Sequence, residues 1–366
     1  MGQQLLEKLN QSPDACWLFC SSQSGLQDLV KGVFESTAAR CLVGCTTAGE
    51  ISTAGFSKHT AVLGGIVADQ IEFEAARVTD LKKDSEAAGR KLAQALPPDV
   101  CYVQVFTDGL TGNGCAFLRG IQSVLSEKIP ISGGTAGDDG RFIQTFQFHG
   151  DQVLTDAAVA IGFKGEFTVG TGVQSGWAPI GLAKKVTRAS GNVLYELNGE
   201  PALNVLQRFL GKHAEKLPAV GVEYPLGFYC PYGDNKDDTF FLLRATMSVN
   251  REQGSVKFAG EIPEGAMIHL TCGDNASLLN ATEKAARMAC EDLGQATPAM
   301  VFFYSCMARN LLLGQRTKEE ITRVKQTFKA HTPVLGFYSY GEFCQITSSG
   351  PSVLHNETAT VSAIGI

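Results

Sequence analysis

Short apolar runs alternate with amphipathic stretches along most of the chain, which is the pattern of strands joined by helices. "ACWLFCSS" (15–22), "RCLVGCTT" (40–47), "VCYVQVFTD" (100–108), "AMIHLTC" (266–272) and "AMVFFYSC" (299–306) are nearly continuous apolar runs and read as buried strands. Residues 26–37, 85–96, 114–127, 274–293 and 317–331 place apolar residues at helical spacing and read as helices with one buried face. Pro97 and Pro98 stop the second of these, Asp274 is placed to cap the fourth, and Thr317 with Glu320 has the spacing of a capping box. Runs 59–67 and 71–78 predict a hairpin-like pair, and 145–163 predicts two strands about Gly150 and Asp151.

One local pattern recurs three times. "VGCTTAGEIS" (43–52), "ISGGTAGDD" (131–139) and "VLGFYSYGEF" (334–343) each run from an apolar approach through glycine and small or hydroxyl residues to Gly-Glu or Gly-Asp. In the two later cases a strand, a helix and a second strand lead into the turn, and a closing strand follows; "AVAIGF" and "VSAIGI" are near copies of each other. Residues 15–67 read as a shorter copy of the same unit. Duplicated units commonly pack about a pseudo-twofold, which would bring the acidic turns to one cleft. The fold class expected is α/β (α+β): two pseudo-symmetric lobes, 1–170 and 171–366, of mixed, largely antiparallel sheets flanked by helices, with internal repeats. The Gly-rich stretch 164–190 marks the boundary.

Composition narrows the functions open to such a fold. A chain of 366 residues exceeds one ordinary core. The net charge is −6, and Lys and Arg are scattered, so the basic footprint of a nucleic-acid binder is missing. No apolar run reaches the length of a membrane span, and the N-terminus does not read as a secretory leader, so a cytoplasmic location without membrane insertion is expected. Eleven cysteines, an odd number, argue against a disulfide framework. Cys16/Cys20 and Cys41/Cys45 lie in strands, where residues four apart are about 13 Å apart and cannot share one zinc ion. Neither G-x-S-x-G nor H-E-x-x-H occurs, and no catalytic set replaces them, so an enzyme is not expected.

The three turns, together with "ASGNVLYELNGEPAL" (189–203), "FYSCMARN" (303–310) and the closing "LHNETATVSAI", resemble FIST-domain proteins over almost the whole chain. The resemblance implies a sensory, signal-transducing role with small-molecule binding. One branch of that family binds haem, senses nitric oxide and signals to histidine kinases or cyclic-di-GMP enzymes. Another is fused to an F-box. The stand-alone layout resembles the bacterial sensor branch more closely.

The candidate site follows from the turns and the family blocks. Glu50, Asp138 and Glu342 would present carboxylates to a shared cleft, with Cys45, Thr46, Gly134 and Tyr340 beside them in the same turns. Their alternative role is to cap nearby backbone N–H groups. Cys306 ends a strand and Arg309 follows it, and a nearby cation can lower a thiol pKa and expose a reactive thiolate. His355 falls in the "HN-T" block, which suggests a role in the common fold. For haem, His149 is the candidate iron ligand because Phe142, Phe146 and Phe148 surround it in sequence; His59 and His355 are lesser candidates. "FTDGLTGNG" (106–114) is a glycine loop entering a helix, where backbone N–H groups could meet an anion. Two readings compete with the sensor: a module that takes a peptide or protein in the same cleft without a cofactor, and a thiol enzyme using Cys306.

Overall fold

The computed structural model describes residues 1–232, 238–328, 331–348 and 350–366. A short helix, α1 (Gly2–Leu9), precedes the first unit, which comprises β1 (Ala15–Cys20), α2 (Leu26–Thr37), β2 (Cys41–Thr46), the hairpin β3 (Glu50–Ser52) and β4 (Gly55–Ser57), and β5 (Ala61–Ile66). The second opens with β6 (Ile71–Thr79) and α3 (Ser85–Gln94). It continues as β7 (Tyr102–Thr107), α4 (Gly114–Gln122), β8 (Ile131–Thr135), the hairpin β9 (Gln147–His149) and β10 (Gln152–Leu154), and β11 (Ala157–Gly165).

The edge strand of the third unit is β12 (Thr168–Gln174), after which a module is inserted. The module holds β13 (Ala178–Ser190), β14 (Val193–Leu197), β15 (Glu200–Pro201), α5 (Ala202–Leu210), β16 (Leu226–Pro231), β17 (Thr239–Arg244), β18 (Thr246–Asn250), β19 (Ser255–Phe258) and β20 (Met267–Cys272). The third unit then resumes with α6 (Asn275–Asp292), β21 (Pro298–Cys306), α7 (Met307–Leu313), α8 (Thr317–Thr327) and β22 (Val334–Ser339). It ends with the hairpin β23 (Glu342–Gln345) and β24 (Ser352–His355), and β25 (Ala359–Gly365).

The fold is mixed α/β with largely antiparallel sheets and helices on their outer faces. In every unit the central strand pairs in parallel with the next strand across a helical crossover: β1 with β2, β7 with β8, β21 with β22. The closing strand returns antiparallel on its other side: β5, β11 and β25. The hairpin after each turn leaves its own unit. β3–β4 joins β22 of the third unit, β9–β10 joins β2 of the first, and β23–β24 joins β8 of the second. This exchange closes a cycle over three units, where the repeat in sequence suggested a twofold between two.

Near the C-terminal ends of the three central strands, Phe19, Phe106 and Tyr304 meet as a ring triangle. Their centroids are 5.2, 6.0 and 6.4 Å apart, in edge-on packing favoured by the aromatic quadrupole. Trp17, Phe302 and Phe337 extend this buried cluster. Apolar residues on the opposite faces of the sheets pack under α3 and α4, under α6 and α8, and under α2.

Some local expectations change. The runs 59–67 and 71–78 do not pair with each other: β5 lies against β1, while β6 forms the edge beside β11. Each strand satisfies its backbone inside its own unit's sheet, and the short loop between them crosses from sheet to sheet. Residues 145–163 form three strands, because β9 and β10 make the exchanged hairpin before β11 begins. The run 266–272 belongs to the module's sheet, and β12, paired with β25, takes the place of edge strand in the third unit. Asp274 caps α6 as expected, its carboxylate accepting from Ala276 N at 2.8 Å and Ser277 N at 3.0 Å. The capping box at Thr317 does not form, since Glu320 is buried and turned to Arg309. All eleven cysteines are free thiols. Among the described residues no helix is long and apolar enough to cross a membrane.

Candidate functional site

The three acidic turns meet. Gly137 N and Asp139 N donate to Thr46 O and Thr47 O at 2.9 Å each. Thr135 N donates to Gly341 O at 2.7 Å, and Ala48 N to Tyr338 O at 2.9 Å. Every turn is thus bonded to the other two through backbone. A Cβ on Gly137 would stand 2.7 Å from Ala48 N, so this approach requires glycine.

The carboxylates of the turns face inward. Glu50 accepts from Thr47 Oγ1 at 2.7 Å and from Thr60 Oγ1 at 2.7 Å. Glu342 makes the same clip in the third unit, with Ser339 Oγ at 2.6 Å and Thr358 Oγ1 at 2.8 Å. Asp138 accepts from the N–H groups of Phe142, Ile143 and Gln144 at 2.8, 2.6 and 3.1 Å, and from the Tyr340 hydroxyl. All three are fully buried. Burial pushes Glu342 up to about 7 and raises Glu50, despite the hydroxyl hydrogen bonds that oppose it. Each carboxylate pins its turn to the chain that follows, which is the capping role.

The other residues are placed as follows. Thr46 Oγ1 accepts from Phe146 N at 3.0 Å and anchors the incoming hairpin. Gly134 pairs with Glu342 where β23 joins β8. Tyr340 stacks on Phe142 with ring centroids 4.6 Å apart. Cys45 and Cys306 are buried, and burial pushes both thiols well up, so the reactive thiolate expected at Cys306 is corrected. Arg309 does not serve that thiol. Its guanidinium holds Glu320 at 2.8 Å, with both side chains at 0% exposure. His355 is buried, its Nε2 lies 3.1 Å from Cys344 O, and burial pushes it down to about 3.

His149 does not fit haem in this structure. Its Nε2 is buried without a partner among the described residues, and burial lowers its pKa. The expected aromatic wall is dispersed: Phe142 lies on Tyr340, while Phe146 and Phe148 pack in the core beneath α2. His59 is 61% exposed and sits 3.4 Å from Asp139.

A cavity of about 220 Å³ lies elsewhere, between the three-unit body and the inserted module. The body contributes loop 107–114, Thr135, Tyr340, Gly341, Leu354 and Asn356; the module contributes Asn192, Met247, Ser248, Lys257, Phe258 and Ala259. The glycine loop read as an anion cradle is therefore in a cavity wall, but its own side chains take several of its N–H groups. Asp108 accepts from Leu110 N at 2.8 Å and Thr111 N at 3.0 Å, and Asn113 caps α4 through Cys115 N and Ala116 N at 3.0 and 3.1 Å. Asn113 Nδ2 also donates to Glu261 of the module at 2.8 Å, and Arg119 of α4 bonds the same carboxylate at 2.6 Å. Burial pushes Glu261 up, but these hydrogen bonds outweigh it and its pKa falls below the ordinary value.

His355, which ends β24, and the two residues after it carry buried polar atoms without partners among the described residues: His355 Nδ1, both amide atoms of Asn356, and both carboxyl oxygens of Glu357. Burial, then the neighbouring Glu342, pushes Glu357 well up, and its φ is +63°. Asn356 was not singled out from sequence. The available signal was a His-Asn-Glu triplet set between two apolar strands.

Comparison with known proteins gives distant relatives. An uncharacterised protein of Methanocaldococcus jannaschii is 26% identical over 352 residues, covering 86% of this chain and 64% of its own. An uncharacterised protein of Mycobacterium tuberculosis is 25% identical over 243 residues, covering 63% and 58%. The chain thus spans about three fifths of the length of these relatives. A cyanuric acid hydrolase from A. caulinodans aligns over 99% of this chain and 93% of its own at 12% identity, with a TM-score of 0.32, too low to bear on function. Residues 14–200 match the FIST N domain and residues 202–345 the FIST C domain, modules that generally act as sensors in signal transduction. With most of its length so matched, the chain belongs to the FIST family.

Proposed function

We propose that this protein is a cytoplasmic, non-enzymatic sensor that binds a small molecule in the cavity between body and module. Occupancy is reported as a change in how the module rests on the body. The observation that carries this reading is the shared wall: one cavity is lined from both sides, in part by Asn356, whose buried amide has no partner among the described residues. A buried polar group without a partner is costly, so the site favours a ligand or water that satisfies it. Asn113 caps α4 beside the cavity and bonds Glu261 across the interface, which supplies a route from occupancy to module position. A signal passes only if the two arrangements bind the downstream partner differently. A histidine kinase or a cyclic-di-GMP enzyme fits that role.

The size of the cavity favours a metabolite over a peptide, since about 220 Å³ falls below the roughly 300–1,000 Å³ typical of drug-sized sites. The test is hydrogen–deuterium exchange of the full chain with and without a small-metabolite extract, followed by mass spectrometry of what the protein retains. A retained compound with protection at both 107–114 and 247–259 is expected. Protection confined to other segments, or no retained compound, counts against this reading.

A further inference from the structure

The cavity has a chemical character that narrows its ligand. Asn356 is 1% exposed, and among the described residues neither its Nδ2 donor nor its Oδ1 acceptor has a partner. It stands beside Gly341: a Cβ built there would lie 3.4 Å from Asn356 Nδ2, 3.5 Å from Thr135 Oγ1 and 3.2 Å from Leu354 Cδ1. A carboxylate would satisfy Nδ2 and oppose Oδ1. An ammonium group would satisfy Oδ1 and oppose Nδ2. A group with N–H and C=O on the same side satisfies both at once, as an Asn side chain does when it pairs with the donor–acceptor edge of adenine.

The charged groups of the lining agree with a neutral ligand. Among the described residues the cavity has one acidic side chain, Asp108, and one basic, Lys257. Asp108 already accepts three backbone N–H bonds, from Leu110, Thr111 and Asp156, which fix it in place. Lys257 belongs to the module's side of the lining. Phe117, Met247, Phe258 and Leu354 supply apolar wall for a ring or hydrocarbon portion.

We infer that this site selects a neutral small molecule carrying an amide edge, a primary carboxamide or lactam, paired through two hydrogen bonds to Asn356. The inference rests on the cavity being the ligand site.

Nicotinamide and nicotinate serve as probes, since they share a ring and differ in the amide edge. Ligand-observed NMR titration of the full chain is expected to give saturable nicotinamide binding in the millimolar range, with nicotinate at least about tenfold weaker. Asn356→Asp keeps the shape and loses the donor, and is expected to weaken nicotinamide at least about tenfold. Gly341→Ala adds one methyl next to the amide, in a position where Leu354 need give only slightly, and is expected to weaken binding while circular dichroism and thermal unfolding stay near wild type. Equal or tighter nicotinate binding, an Asn356→Asp variant that still binds nicotinamide normally, or no binding of either probe would overturn the amide-edge assignment. The cavity itself is judged separately. If Gly341→Ala removes the exchange protection produced by the metabolite extract, the ligand site stands although its assigned chemistry has failed. If protection persists, the site falls as well.

Discussion

Arg309 and Glu320 form an ion pair at 2.8 Å with both side chains fully shielded from solvent. Glu320 also accepts from Thr282 Oγ1 at 2.7 Å, Tyr338 OH at 2.6 Å and Ser305 Oγ at 3.2 Å. Arg309 further donates to Leu278 O and Thr282 Oγ1, both at 2.8 Å. The pair therefore ties α6, α7, α8, β21 and β22 together. Replacing either partner strands the other's charge in the core, so Arg309→Met and Glu320→Leu are each expected to cost about 3–5 kcal/mol. The double variant is expected to cost less than the sum of the two, because it leaves no lone charge. Urea unfolding of the three proteins measures this; additive losses would show that the pair is not coupled.

Thiol reactivity should follow exposure and not proximity to arginine. Cys101 and Cys272 are exposed, whereas Cys45, Cys306 and Cys344 are buried with thiols pushed up by desolvation. Brief treatment of the native protein with iodoacetamide, read by peptide mass spectrometry, should modify Cys101 and Cys272 and spare those three. Early labelling of Cys306 would contradict its burial.

His355 gives the pH dependence a definite sign. Its folded value of about 3 lies below the ordinary histidine value of 6.5, so the unfolded chain takes up the proton first. Its contribution to stability is present above the ordinary value and is lost as pH falls from there toward 3. Glu342, raised to about 7, acts in the opposite direction, losing stability as pH rises from the ordinary carboxylate range to that value. Comparison with a variant isolates the histidine: His355→Gln keeps an N–H for Cys344 O and removes the titration. The stability difference between wild type and variant should move in the variant's favour as pH is lowered below about 6.5, by at most about 1.4 kcal/mol per pH unit. A difference that does not vary with pH would show that His355 titrates normally.

The contact between turns allows no side chain at residue 137. Gly137→Ala would place its methyl 2.7 Å from Ala48 N and 2.8 Å from Thr47 C, both backbone atoms that cannot rotate aside. A loss of about 1–3 kcal/mol is expected. Unfolding of Gly32→Ala provides the reference, since among the described residues nothing lies within 4 Å of the Cβ it would gain. Equal stability of the two variants would disprove the close approach.

Much of the fold was legible along the chain. The helix at 26–37 and the strand at 299–306 are set by periodicity and by contiguous apolar residues, which act over a few turns or pleats and need no distant partner. The recurrence of Gly-Glu and Gly-Asp likewise announced three turns of one kind. Asp274 capped its helix because a cap depends on N–H groups only two and three residues away.

What sequence alone left undecided was decided at long range. Thr317 and Glu320 have capping-box spacing, yet Glu320 turns inward because a buried guanidinium 11 residues earlier offers stronger hydrogen bonding than a helix N-terminus in water. The turn carboxylates looked ready for a ligand, but the strands that follow bring back Thr60 and Thr358 to meet two of them, and Tyr340 arrives from another unit to meet Asp138. The exchange of hairpins around three units has no local signature, because backbone hydrogen bonds carry no record of which strand will supply them. The sequence by itself determined the main helices and central strands, the recurrence of the turn and the family resemblance. Only the tertiary structure decided which polar groups were satisfied, and so left the amide of Asn356 unpaired beside a cavity that half the fold and an inserted module close together.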